Sequence, residues 1–455
     1  MALFIAVLII IIVIALTFKY PSISLLFYLT TSFFKTVLMI KFSFFLSFDY
    51  TVLCGILVLL AMSYSFIKSK GSLKEVMSIP VGFFIALAVL LLFGLSYTSA
   101  PNYGFEKSTR FAVLGFIAFS APLFFSRDLK DVKQVVFMVF LAGMVIMVGT
   151  IIAPYAAVVR RGAGVRGGFL EASPLESAAM IATLGSICAY FCISSQTPKK
   201  LKIIGLIFLP MSVIGITLTG SRGPLIGLGL AILGSMVFCR KHLSKVWMPL
   251  LIIALVIATF TVIVKLPQKN VQRILSIFEE QYEFQNVAYQ RTSKFTWVLS
   301  RAGKHIFLGN GTGSYAVDWG GQDERDYPHN IILELLYENG LAGVIIFVLF
   351  MWLVLKRWRA GKKFVKFYEL CPETEGLINI AGLLLFFNIL QSLKTYDIDG
   401  NRYMFFTCGL VLALYNCIKA ECLNISFYDD ELDYSSLSYD EAEHFGDELI
   451  LYERL

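Results

Sequence analysis

Long apolar runs, each closed by a short polar cluster, repeat along nearly the whole chain. They are about 17 to 25 residues long, enough at 1.5 Å per helical residue to cross a hydrocarbon core of about 30 Å. After residue 50 the pattern predicts eleven spans, near 51–67, 80–97, 111–125, 134–157, 173–195, 203–219, 223–239, 246–264, 331–355, 376–393 and 403–418. Before residue 50, residues 2–18 form one run. Residues 22–48, interrupted by Lys35 and Lys41, read as one long helix or two short ones. The first run lacks a basic start and a small-residue cleavage pattern, so it reads as a retained helix. The expected fold is an all-α, polytopic membrane bundle of about 12 (12–14) transmembrane helices.

Composition agrees and charge orients the bundle. Of 455 residues, 57% are hydrophobic and 16% charged, which excludes a water-soluble globular surface. Lys and Arg cluster in the loops near 68–79, 126–133, 196–202, 240–245 and 356–366, and the positive-inside rule places those loops in the cytoplasm. The opposite, periplasmic side then receives 98–110, 158–172, the turn at 220–222, a long helical loop at 265–329 and the loop 394–402. Two units follow: a transmembrane domain over 1–420 that includes loop 265–329, and an acidic cytoplasmic tail over 421–455, whose composition reads as disordered. The eight cysteines lie mostly inside apolar runs without metal or redox spacing. The basic loops are short topology signals, so nucleic acid is not expected as a partner.

Polar chemistry gathers on the expected outer side. Short external loops should be poor in Arg, yet Arg160, Arg161 and Arg166 share one loop and Arg222 sits in a three-residue turn. A phosphate outside would explain both, because the guanidinium fork binds phosphate oxygens bidentately and the helix starting at the turn adds its positive dipole end. A loop arginine can equally snorkel to lipid head groups. The run LGNGTGSY, with Gly309, Gly311 and Gly313, suggests a tight turn where backbone passes close to a neighbour. His329 follows Pro328 at the start of the span 331–355. Asn330, Glu334 and Glu338 share one face of it, which must look into protein or a wet cavity. The remaining histidines supply no ligand set around His329, so no metal is expected.

These residues resemble a known family. His329-Asn330 followed by Gly340 and Gly343 is similar to the signature of bacterial O-antigen ligases and the related O-antigen polymerases. YTSAPNYGFEKSTR (97–110), LTGSRGPLIGLG (218–229), Arg291 with Trp297 leading into LGNGTGSY, and Ser392 to Arg402 match in order, so the resemblance covers about residues 50–420. It implies glycan transfer from undecaprenyl diphosphate to an acceptor hydroxyl, a lipid A-core sugar or another glycan, at the periplasmic face of the inner membrane. It implies no cofactor, metal or nucleotide. Arg222 and Arg291 would hold the diphosphate and His329 would be the base or acceptor-positioning group. Arg160, Arg161 and Arg166 would assist, with Asn330 and Glu334 lining the substrate site. A polymerase of the same chemistry is the alternative reading, and a flippase or exporter of lipid-linked sugar is the alternative from another class. A transporter should place its ionisable groups near the bilayer midplane, whereas these gather at the outer boundary.

Overall fold

The computed structural model describes residues 13–31, 34–35, 50–68, 78–152, 174–240, 242–265 and 282–429. The elements labelled here are all helices: α1 (Ile23–Leu29), α2 (Tyr50–Lys68), α3 (Ile79–Phe93), α4 (Pro101–Arg110), α5 (Phe116–Phe125), α6 (Leu129–Ile152), α7 (Pro174–Ile193) and α8 (Lys199–Thr219). Then come α9 (Arg222–Phe238), α10 (Trp247–Lys265), α11 (Tyr282–Arg301), α12 (Ser314–Gly320), α13 (Ile331–Glu338), α14 (Gly340–Phe367), α15 (Pro372–Ser392) and α16 (Arg402–Asp429). Among the described residues nine helical segments are long and apolar enough to cross a membrane, and two shorter apolar ones, Arg222–Phe238 and Trp247–Thr261, accompany them. Each run expected after residue 50 holds one of these eleven. Residues 1–12, 32–33 and 36–49, where the earlier runs mostly fall, lie outside the described residues. The chain is a multi-pass membrane protein.

Two expected boundaries are corrected. The stretch 98–110 is not an irregular loop: Pro101 opens α4, which continues through a π-helical turn, Phe111–Gly115, into α5. The run 331–355 is not one helix. It breaks at Asn339 and Gly340, because Gly340 takes φ +64° and a Cβ there would strike the Phe307 carbonyl. The spanning helix therefore starts at Gly340, and Glu334 and Glu338 sit on the short helix before it. At the other end, α16 extends to Asp429, so the start of the acidic tail is helical, and 430–455 lie outside the described residues.

Helix α7 packs against α6, α8 and α9, while α16 packs against α5, α14 and α15. Lipid tails are as apolar as leucine, so close van der Waals packing must hold these helices together. Small residues permit it: a Cβ on Gly205 of α8 would meet the Cys188 carbonyl of α7, and one on Gly143 of α6 would meet Leu184. A buried phenylalanine stack ties α3, α5, α14 and α16. Phe84 stacks on Phe119 at 4.6 Å and meets Phe405 edge-on at 5.4 Å, and Phe350 meets Phe119 edge-on. A second, smaller core of Val298, Tyr315 and Tyr337, with Trp297 and Trp319 against it, fastens α11 and α12 onto α13. That core sets α11 beside the segment that carries His329.

Candidate active site

The turn between α8 and α9 is built by its sequence. Gly220 ends α8 in the left-handed conformation (φ +66°), Ser221 is the N-cap in extended conformation, and Arg222 is the first residue of α9. Half-buried Arg222 thus lies where the helix presents its unpaired N–H groups. The start of α9 docks on the end of α15, with Gln391 Nε2 donating to the Gly223 carbonyl at 3.3 Å.

The same 391–395 segment holds His329. Its Nδ1 lies 3.3 Å from the Thr395 carbonyl, which can only accept, so Nδ1 carries the proton and Nε2 carries the lone pair. Tyr327 packs edge-on against the imidazole at 4.5 Å, and its hydroxyl donates to the same carbonyl at 3.4 Å. His329 sits at φ +59°, in the left-handed region that few non-glycine residues enter. That conformation costs about 1–3 kcal/mol and persists only where the surroundings impose it. Here Pro328 precedes it and Asn330 follows as the N-cap of α13, its Oδ1 accepting from the Ile332 and Leu333 amides while its Nδ2 donates to the Leu393 carbonyl.

Helix α11 supplies positive charge. Arg291 is exposed; Lys294, one turn on, pairs with Asp326 at 2.5 Å and donates to the Tyr327 carbonyl. Burial lowers the His329 pKa from its ordinary value. The Thr395 hydrogen bond opposes this, and the charges of Lys294 and Arg291 reinforce it. The ring is therefore neutral at pH 7.

Beneath these groups lies a buried ionic network. Lys107 of α4, fully buried, pairs with Glu334 and with Glu338 (2.6 Å) of α13. Glu334 Oε1 also accepts from the Ile398 amide at 3.2 Å. Burial would raise the Asp397 carboxyl, but hydrogen bonds and charge from Arg325 overcome it and hold it down at about 2. Burial and then the Asp397 charge push Asp399 up to about 8. The glycines of 309–313 thread this layer at positive φ: a Cβ on Gly311 would strike the Thr98 backbone and one on Gly313 that of Gly104. The expected close-passing turn is there.

Removing one partner of a buried ion cluster leaves charge uncompensated. Lys107→Met should therefore destabilise the protein by about 3–5 kcal/mol. Thermal unfolding of the purified variant checks this, and an unchanged midpoint would show that the cluster is not a structural lock.

The structure brings Arg222, Arg291 and His329 to one end of the bundle, with the 391–395 segment joining the first and last. Asn330 and Glu334 have framework contacts, as N-cap and as ion-pair partner. Arg160, Arg161 and Arg166 lie outside the described residues. Residues 206–348, which contain all three of the first group, match the O-antigen ligase family profile. Over that stretch the chain is similar to O-antigen ligases. Among curated proteins none matches the chain.

Sequence reasoning missed Lys107, Lys294, Arg325, Asp397 and Asp399. For Lys107 a signal existed: two carboxylates one turn apart at a membrane boundary require a counter-charge, and the 97–110 stretch holds a lysine. Asp397 and Asp399 sit in a short loop between apolar helices, where no periodicity marks them.

Proposed function

We propose that this protein is an O-antigen ligase: it moves glycan from undecaprenyl diphosphate onto a hydroxyl of lipid A-core or another glycan acceptor, at the periplasmic face of the inner membrane. The observation that carries this reading is the shared 391–395 segment, which holds the Arg222 turn through Gln391 and the proton-accepting His329 through Thr395, with Arg291 and Lys294 alongside. In the reaction the acceptor hydroxyl oxygen attacks the anomeric carbon. Its proton passes to His329 Nε2, and the bond from carbon to diphosphate breaks with its electron pair leaving on the diphosphate. Charge grows on those oxygens, where Arg222 and Arg291 stabilise it. Neither metal nor nucleotide is needed for such a step, and an apolar groove between helices suffices for the prenyl chain.

Lipopolysaccharide banding of a deletion strain tests the assignment. The expected result is loss of every O-bearing band with accumulation of lipid-linked polymer. Core bearing a single repeat would assign a polymerase of the same superfamily, and loss of O-bearing bands with unpolymerised lipid-linked sugar trapped on the cytoplasmic face would assign a flippase.

A further inference from the structure

Two irregular segments run antiparallel through the site, joined by side-chain rungs. Arg325 binds Asp397 through two hydrogen bonds, Nε to Oδ2 at 2.8 Å and Nη2 to Oδ1 at 2.7 Å. Tyr327 and His329 both reach the Thr395 carbonyl, and Asn330 reaches that of Leu393. The first rung is the only charged one of the four, and it is anchored from behind. Asp397, whose side chain is fully buried, also accepts from the Tyr103 hydroxyl at 3.1 Å and the Gly400 amide at 3.1 Å. Its own carbonyl accepts from Asn401 Nδ2 at 2.7 Å. The Arg325 guanidinium lies 5.7 Å from the centre of the Tyr327 ring, whose edge packs on His329. Arg325 thus reaches His329 along two routes, through the Asp397 segment to the Thr395 carbonyl and through the face of Tyr327.

We infer that the Arg325–Asp397 pair is the positioning device for His329, holding Nδ1 on the Thr395 carbonyl and so presenting the Nε2 lone pair to the acceptor hydroxyl. This rests on the proposed role of His329 as base, and two readouts separate the inferences. Neither residue touches the reacting atoms. A bidentate carboxylate fork fixes direction as well as distance, which a rung between neutral groups cannot do. The charges acting on the imidazole are Arg291 and Lys294 from α11 and Asp326 from its own segment, and the Thr395 segment adds the carbonyl. Changing the pair removes none of them.

The test uses the full-length protein in nanodiscs with ¹⁵N-labelled histidine, the His329 signal being identified by its loss in His329→Asn. In the unchanged protein one tautomer should dominate, protonated at Nδ1. In Asp397→Asn, and in Arg325→Gln, whose side chain is 43% exposed and so disturbs the core less, the tautomers should mix. Turnover should fall roughly 10–100-fold, as for a misplaced catalytic group. Binding of undecaprenyl diphosphate should change less than about 2-fold, because Arg222 and Arg291 remain. The double variant should be no worse than the more damaging single one, the behaviour of two groups acting as a unit. An unchanged tautomer in both folded single variants overturns the inference. A mixed tautomer with unchanged turnover upholds the positioning and removes His329 from the chemistry, so the two readings fail separately.

Discussion

Replacing Arg222 with alanine is expected to lower glycan transfer by about 10²-fold or more while leaving insertion and folding near normal. The backbone there is held independently of the side chain, by the left-handed Gly220 and by Gln391 on the Gly223 carbonyl, so the turn survives its loss. The departing diphosphate loses a donor whose stabilisation grows as charge develops, and an effect of that kind falls on turnover. Arg222→Lys keeps the charge but not the planar fork. It should recover little activity at a diphosphate site, whereas an arginine serving only topology would be replaced without loss. Arg291→Ala should be comparably damaging, with one further mark. Its positive charge helps to hold down the His329 pKa, so its removal lets that pKa rise, and the acid limb of the pH–rate profile should move to higher pH. Transfer assays on reconstituted protein, with undecaprenyl diphosphate binding measured beside them, read both effects. Wild-type transfer by Arg222→Ala would remove the turn from the site.

How much of this was legible in the sequence depends on the kind of signal. The spans were legible because a hydrocarbon solvent permits few apolar patterns, and Arg222 and His329 because a charge or a histidine beside such a run stands out. The end of α14 nearest the site was not. The run 331–355 is apolar on both sides of Gly340, and only the left-handed φ of that glycine, packed on Phe307, divides it. Lys107 was hidden for the opposite reason. The 101–110 stretch is polar enough to read as a loop, yet contacts with Glu334 and Glu338, more than 220 residues away, draw it into the bundle as helix. Asp397 depends on Arg325 in the same way. Charge pairs between distant segments leave no periodic trace, so the shared 391–395 segment emerged only from the fold.

His329→Asn is the most discriminating single change. Position 329 sits at φ +59°, a conformation that asparagine tolerates better than most residues, and an asparagine amide can still donate to the Thr395 carbonyl. What asparagine lacks is a group that takes up a proton near neutral pH. The backbone should therefore stay as it is, undecaprenyl diphosphate should still bind to the arginines, and turnover should fall by about 10²–10⁴-fold, the usual contribution of a positioned base. The pH dependence supplies the second half of the argument. Because the His329 pKa is lowered, the wild-type rate should be level across neutral pH and decline only below the ordinary histidine range of about 6.5, as the imidazole protonates. The small residual rate of His329→Asn should show no such decline, since no titrating base is left. Turnover close to wild type would sink the general-base role while leaving the similarity to O-antigen ligases untouched. A lost acid limb with retained lipid binding would instead assign His329 to the chemical step and the arginines to capture of the diphosphate.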